Sequence, residues 1–381
     1  MIPRLSPALG RGELRALLAA PGGTVERFED AFARRFGARA ALAFPYGRSA
    51  LHAFLGAMEV RGAEVVIPAY TCSVVAHAVV LSGNEPRFVD ADPYDFNMRL
   101  DEVEAAIGPR TRAVVATHLF GYPLDTGRLR EIVRAAEVRH GHRIWIVQDC
   151  AHAFGAERGG RMVAAEGDAA IFGLNVSKLV TSIFGGMLTT SDPEVEARVR
   201  AWREARYHHP AAAKSLLRRA YLLAAAAAFT RPLYGAAYTL QERTPLLNRL
   251  TKAYHLDERI HFPPDAGERM LDVEAAVGLV QLARYDKVVE HRRALARLYA
   301  GRLRGAPGVI LPPLVEGATY SHYVVRVADR AAVLRAGAAA GIQFGELIEY
   351  SVPHLAPYRR WAGSREYPVS LELSRTTVNL P

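Results

Sequence analysis

The chain has 381 residues, half of them hydrophobic, and a formal net charge of +9. That length predicts two or three compact units with a large core; the basic balance admits an acidic ligand such as a phosphorylated small molecule, whereas arginines scattered without an aromatic-studded stripe argue against nucleic acid. Two cysteines, Cys72 and Cys150, are too few for a disulfide framework and fit a reducing compartment, and the opening Met1-Ile2-Pro3-Arg4-Leu5 lacks a signal peptide's apolar segment, so a cytoplasmic location is expected.

From about residue 40 to 190, short apolar runs alternate with helix-like stretches, the pattern of an α/β sheet. Residues 64–67, 86–89, 112–116, 143–147 and 168–174 read as buried strands, with helices at 100–107 and 126–136 between them. Asp90, His118, Asp149 and Lys178 follow such runs, where open α/β sheets bind ligands. Residues 205–260 interrupt the alternation with Ala-, Leu- and Tyr-rich sequence carrying nine Lys or Arg against three Asp or Glu. The apolar run 220–229 is too short to cross a bilayer. The segment reads as a subunit contact or a cap over the site, or as a peripheral membrane contact or hold on a lipid-linked substrate. A helix over 273–303 then bridges to a smaller unit with a strand at 320–327 and a helix at 330–340. The expected division is a large domain over 1–260 and a small C-terminal α/β domain over 261–381.

Of the 48 Lys plus Arg, only Lys178, Lys214, Lys252 and Lys287 are lysines. Lys178 alone lies in a loop between two apolar strand-like runs, where desolvation lowers an amine's pKa and suits it to Schiff-base chemistry. Asp149 ends the run Ile144-Trp145-Ile146-Val147-Gln148 and emerges at the same sheet edge. A carboxylate beside such a lysine is what pyridoxal phosphate requires: it keeps the pyridine nitrogen protonated while the lysine shuttles a proton. Gly47-Arg48-Ser49 opens a helix whose backbone N–H groups suit the phosphate. His152 is placed to stack on the pyridine ring or to be structural, and His118 has the same two readings. No metal site is expected.

The order of motifs resembles the DegT/DnrJ/EryC1/StrS family of fold-type-I pyridoxal-phosphate aminotransferases, which act mostly on nucleotide-linked keto sugars. The matching stretches are Gly47 with the residues to Leu51, Val65-Val66-Ile67-Pro68-Ala69-Tyr70-Thr71, His118-Leu119-Phe120-Gly121, Gln148-Asp149-Cys150-Ala151-His152, the Lys178 loop with Gly185-Gly186, Arg269-Met270, and the tail from Tyr350 to His354. The resemblance implies a mainly parallel sheet sandwiched by helices, with a smaller C-terminal α/β domain. It implies Lys178 as Schiff-base lysine and proton shuttle, Asp149 on the pyridine nitrogen, His152 at the ring, and Gly47, Arg48 and Ser49 at the phosphate. His118, Arg269 and His354 fall on its substrate side. It further implies a homodimer, glutamate as amino donor and a keto acceptor. Alternatives are a lipid-linked or natural-product ketone as acceptor, a lyase or dehydratase, or a non-catalytic binding member.

Three positions depart from the family pattern. Gly173 stands where a phosphate-binding Ser is usual, Gly267 where an Asn from the neighbouring subunit is usual, and Cys72 where an aromatic covers the ring. Arg48 is expected to compensate through charged, bidentate phosphate contact, with Asn175 and Ser177 as further phosphate candidates and Tyr70 as the replacement for the stacking aromatic.

Overall fold

The computed structural model describes residues 1–7, 9–230, 233–235 and 259–381. Two helices, α1 (Arg11–Leu18) and α2 (Thr24–Arg35), precede a seven-stranded sheet of order β1-β9-β8-β5-β4-β2-β3. Its strands are β1 (Ala40–Phe44), β2 (Glu64–Pro68), β3 (Glu85–Val89), β4 (Thr111–Thr117), β5 (Trp145–Asp149), β8 (Ala169–Gly173) and β9 (Gly186–Thr190); the short β6 (Glu157–Arg158) and β7 (Arg161–Met162) form a separate hairpin. The pairs β3–β2, β2–β4, β4–β5 and β5–β8 are parallel, and β9 is antiparallel to both β8 and β1. The strands carry near-continuous apolar residues because helices cover both faces: α3 (Gly47–Ala57) and α4 (Ser73–Leu81) contribute to one core with Leu42, Val65, Ile67 and Val115, while α5 (Leu100–Ala106) and α6 (Thr126–His140) contribute to another with Val66, Val114 and Ile146.

Local chemistry places the breaks. The Asp125 carboxylate accepts the Arg128 N–H at 3.0 Å to start α6, and Gly141, at φ +70°, ends it in the left-handed conformation glycine tolerates. Asp192 caps α7 (Pro193–Arg206), with proline in the first turn. The strand expected at 143–147 lies two residues later, because Thr117 and Ile171 pair with Asp149 and draw it into β5. Asp149 therefore stands on the final rung of the sheet instead of beyond it.

After α7 comes α8 (Ala212–Ala228), then the long α9 (Asp272–Arg302). A second sheet of β10 (Val309–Ile310), β11 (Tyr323–Val327) and β12 (Thr377–Leu380) is fully antiparallel, flanked by α10 (Arg330–Ala339) and α11 (Pro368–Thr376). Among the described residues no helix is long and apolar enough to cross a membrane. The membrane or lipid reading of 205–260 rests in part on 236–258, which lie outside the described residues.

Candidate active site

Parallel pairing sends the loops after β4, β5 and β8 to one edge, and β9 starts from that edge. They surround a cavity of about 310 Å³ whose wall includes Asp149, His152, Lys178, Arg48 and Tyr350. Lys178 sits in the connection from β8 to β9, which is closed on itself by the Leu174 N–H to the Gly185 carbonyl at 2.9 Å and the Ser182 N–H to the Leu174 carbonyl at 2.8 Å. Gly185, at φ +147°, has no room for a Cβ against the Ser182 Oγ. Within this loop the Asn175 Oδ1 accepts from the Ser177 backbone N–H at 3.0 Å and hydroxyl at 2.6 Å, a turn that aims Lys178 inward.

Asp149 is buried and accepts the Ala151 N–H at 3.1 Å and the Thr117 hydroxyl at 3.4 Å. Burial raises its pKa, against the Ala151 N–H, the Lys178 charge and the Thr117 hydroxyl. Burial lowers that of Lys178, with Cys72 and Asp149 opposing. The two groups thus share one desolvated field, which favours a neutral, nucleophilic amine and a carboxylate that gains from a cationic partner.

His152 stacks on Phe120 at 6.0 Å between centroids and 15° between planes, and its Nδ1 accepts the Phe120 N–H at 3.4 Å. Burial, then the charges of Lys178 and His322, hold its pKa well below the usual histidine value. It presents a neutral ring to the cavity. Cys72 also lines the cavity. The Tyr350 hydroxyl, brought from the C-terminal segment, accepts the Ser73 N–H at 3.1 Å.

Beside the Lys178 loop, α3 begins with no side-chain cap, and a helix start of this kind suits an anionic ligand. A Cβ on Gly47 would press on the Phe172 carbonyl at 3.0 Å, and one on Gly186 would run into the Tyr46 backbone. Glycine at both places lets the strand edges close round the helix start. Arg48, on the cavity wall, holds its guanidinium 5.4 Å from the Tyr46 ring centre. Gly173 and Gly267 leave their side-chain space open: a Cβ would meet only Lys178 Cε at 3.7 Å and Ala151 Cβ at 3.8 Å in the first case, and His208 Cε1 at 4.0 Å in the second. Asn175 and Ser177 line the same cavity. Carboxylate, amine, neutral imidazole and an anion-binding helix start make a donor set that fits pyridoxal phosphate. Among the described residues no three His, Cys, Asp or Glu groups are arranged to hold a metal ion.

Several expected residues stand elsewhere. Tyr70 is fully buried, with its hydroxyl on Thr377 Oγ1 at 3.0 Å and the Ile348 carbonyl at 3.3 Å; it is a core residue and does not replace the stacking aromatic. His118 is fully buried and uses both ring nitrogens, Nε2 toward Gln148 Oε1 at 2.9 Å and Nδ1 accepting from the Leu124 N–H at 3.0 Å, so it is structural. The Ser49 hydroxyl is committed to the Ala266 carbonyl at 3.1 Å, leaving its backbone N–H as the group offered at the helix start. Arg269 donates to the Tyr207 carbonyl at 3.2 Å, and His354 is exposed with its ring edge-on to Tyr367; neither lines the cavity. Sequence reasoning missed Thr117 and gave Tyr350 no role. Thr117 ends a strand beside the one ending in Asp149, a signal that the run of apolar residues at 112–116 already contained.

A model of the DegT/DnrJ/EryC1/StrS aminotransferase family matches residues 14–222 and 239–381. GDP-perosamine synthase of Caulobacter vibrioides is 35% identical over 187 residues, 49% of this chain and 49% of that relative, so the matched stretch spans about half of the synthase's length. Spore coat polysaccharide biosynthesis protein SpsC of Bacillus subtilis is 26% identical over 398 residues, covering 100% of this chain and 92% of the relative. Among solved structures, DesV of S. venezuelae, in complex with a ketimine intermediate, is 27% identical with a TM-score of 0.73, covering 97% of this chain and 87% of that one.

Proposed function

The chain belongs to the DegT/DnrJ/EryC1/StrS aminotransferase family, and from that membership we propose that it moves an amino group from an amino acid, glutamate as the first candidate, to a keto sugar carried on a nucleotide. The observation that carries the reading is the meeting of Lys178 and Asp149 in one cavity, each shifting the other's proton affinity. The acceptor class is supported by relatives such as GDP-perosamine synthase.

Pyridoxal phosphate, when bound, supplies an electron sink conjugated to the carbon that exchanges its amine. Asp149 would hold the pyridine nitrogen, with Thr117 and the Ala151 N–H fixing the carboxylate's orientation. The His152 ring would cover the pyridine, and the N-terminus of α3 with Arg48 would hold the phosphate. The Lys178 amine, its pKa lowered by burial, would take a proton at Nζ and give it back on the other side of the exchanging nitrogen, which is the proton movement transamination needs in each direction. Burial of Asp149 and the apolar residues Leu119, Leu174 and Ile348 around the cavity exclude water that would compete for that proton. The chain is expected to work as a cytoplasmic homodimer.

With acceptor withheld, glutamate should convert the bound cofactor to its amine form and release one equivalent of 2-oxoglutarate per chain, read from the absorbance change and the product. Failure with every amino donor would sink the aminotransferase reading. A second acceptor class, a lipid-linked or natural-product ketone, is favoured by the aliphatic wall of Val74, Leu347 and Ile348. Incubating the amine form with GDP-linked keto sugars and with apolar ketones, and following return of the aldehyde absorbance, separates the two.

A further inference from the structure

Helix α8 packs contrary to ordinary amphipathic logic. Leu216 and Leu217 are 70% and 68% exposed and only Leu222 is buried, yet the side chains of Lys214 and Arg218 are just 15% exposed. A helix held by its apolar stripe would do the reverse. The two cations converge on the segment before α9 and on its first turn: Lys214 Nζ reaches Asp265 Oδ2 at 2.8 Å and Glu268 Oε2 at 2.5 Å, and Arg218 reaches Asp265 Oδ2 at 2.8 Å and Glu274 Oε1 at 3.0 Å. The other oxygen of Asp265 accepts the Tyr46 hydroxyl at 2.7 Å. Tyr46 is the residue from which α3 starts, and its ring is the platform under the Arg48 guanidinium. Arg218 also lies 4.1 Å over the Phe184 ring, whose edge meets Tyr46. Pairs this far withdrawn from solvent fix geometry where exposed pairs would be screened.

We propose that helix α8 is part of the cofactor-retaining apparatus: Lys214 and Arg218 hold Asp265, Asp265 holds the Tyr46 ring, and Tyr46 is the positioning residue that sets Arg48 at the phosphate end of the cavity. The proposal rests on the pyridoxal-phosphate reading above. It explains why a basic, apolar helix accompanies a site lacking hydroxyl and amide side chains at Gly173 and Gly267: a guanidinium takes over the phosphate, and a guanidinium on a long side chain needs a fixed support.

The test compares affinities for pyridoxal phosphate and for pyridoxal, which lacks the phosphate, by spectroscopic titration of the full chain. Tyr46→Phe removes one hydroxyl without changing charge. It should weaken pyridoxal phosphate by about three- to tenfold and leave pyridoxal unchanged. The charge-balanced pair Lys214→Met with Asp265→Asn should do the same. In an Arg48→Met background both effects should disappear, because Arg48 is the group through which Tyr46 acts. Unchanged affinities, an equal loss for both ligands, or a loss that persists in the Arg48→Met background would overturn the clamp while leaving the cofactor assignment intact. A native chain that binds neither compound would overturn the cofactor assignment itself and the clamp with it.

Discussion

At one end of the cavity, Asp149 and the Lys178 loop grow from adjacent strands of a parallel sheet, β5 and β8, and the ladder that pairs Asp149 with Thr117 and Ile171 leaves them little freedom. At the other end, Arg48 and Tyr46 depend on charges delivered from α8 and from Asp265, across a sequence separation of 219 residues for the Tyr46–Asp265 bond alone. A hydrogen-bonded ladder tolerates change in neighbouring side chains because the backbone carries the geometry. An ion network carries it in side chains that share their partners, so a change in one member shifts the others. The ring end should therefore fail only when its chemical groups are removed, and the phosphate end should be tunable in both directions.

The largest effect should come from the ring end. Lys178→Ala removes the only amine on the described cavity wall, and turnover should fall by at least about 10⁴-fold, the upper range of general acid–base catalysis, together with loss of the bound-cofactor absorbance band. Retained turnover would overturn the assignment. Asp149→Asn keeps the shape and deletes the charge; the rate should fall by about 10²- to 10⁴-fold. Because the Asp149 charge raises the Lys178 pKa, the pH midpoint for covalent capture of Lys178 by pyridoxal should move down in this variant. A midpoint that rises or stays put would mean that the two groups do not share a field.

The same contrast explains what could be read in the sequence. Lys178, Asp149 and the strand-and-helix alternation were legible because apolar runs, their ends and a rare residue type are local signals. The two-residue shift of β5 was not, since strand ends are set by partners such as Thr117 rather than by the strand's own residues. Tyr70 was expected to replace the missing aromatic and His118 follows a strand, but their polar atoms are taken by Thr377 and by Gln148 and Leu124, and of these Thr377 and Gln148 are brought near only by the fold. The Tyr46–Asp265–Lys214 connection left no trace at all: a tyrosine before a glycine and an aspartate between prolines and a glycine are ordinary until the fold joins them.

His118, a structural neighbour of the ring end, gives a prediction about stability. Burial, against the Gln148 hydrogen bond, lowers its pKa from 6.5 to about 4. The unfolded chain binds this proton below 6.5 while the folded chain declines it until about 4, so the stability due to neutral His118 is complete above pH 6.5 and is lost as pH falls through that window. The loss amounts to about 3 kcal/mol at about 1.4 kcal/mol per pK unit. In urea unfolding measured across this range, His118→Gln should be less stable at pH 7 and show a pH slope shallower by close to one proton. His77, with a pKa lowered to about 4, contributes to the wild-type slope in the same sense. An unchanged slope would place the proton uptake in other groups.

The smallest change is the one that best separates the two ends. Gly173 has room for a side chain, since a Cβ there would meet its nearest neighbours at 3.7 and 3.8 Å, ordinary contact distances, and it faces the cavity beside the start of α3. Gly173→Ser adds a hydroxyl that can donate to a phosphate, and a hydrogen bond to a charged group of that kind strengthens binding by about tenfold. Gly173→Ala adds the carbon alone and should leave the affinity for pyridoxal phosphate unchanged. If the serine variant binds pyridoxal phosphate more tightly and pyridoxal no differently, the phosphate end holds its ligand through Arg48 and the helix start with capacity to spare. If neither variant changes the affinity, Arg48 already satisfies the phosphate oxygens on that side, and the phosphate end is as closed to adjustment as the sheet ladder that holds Asp149.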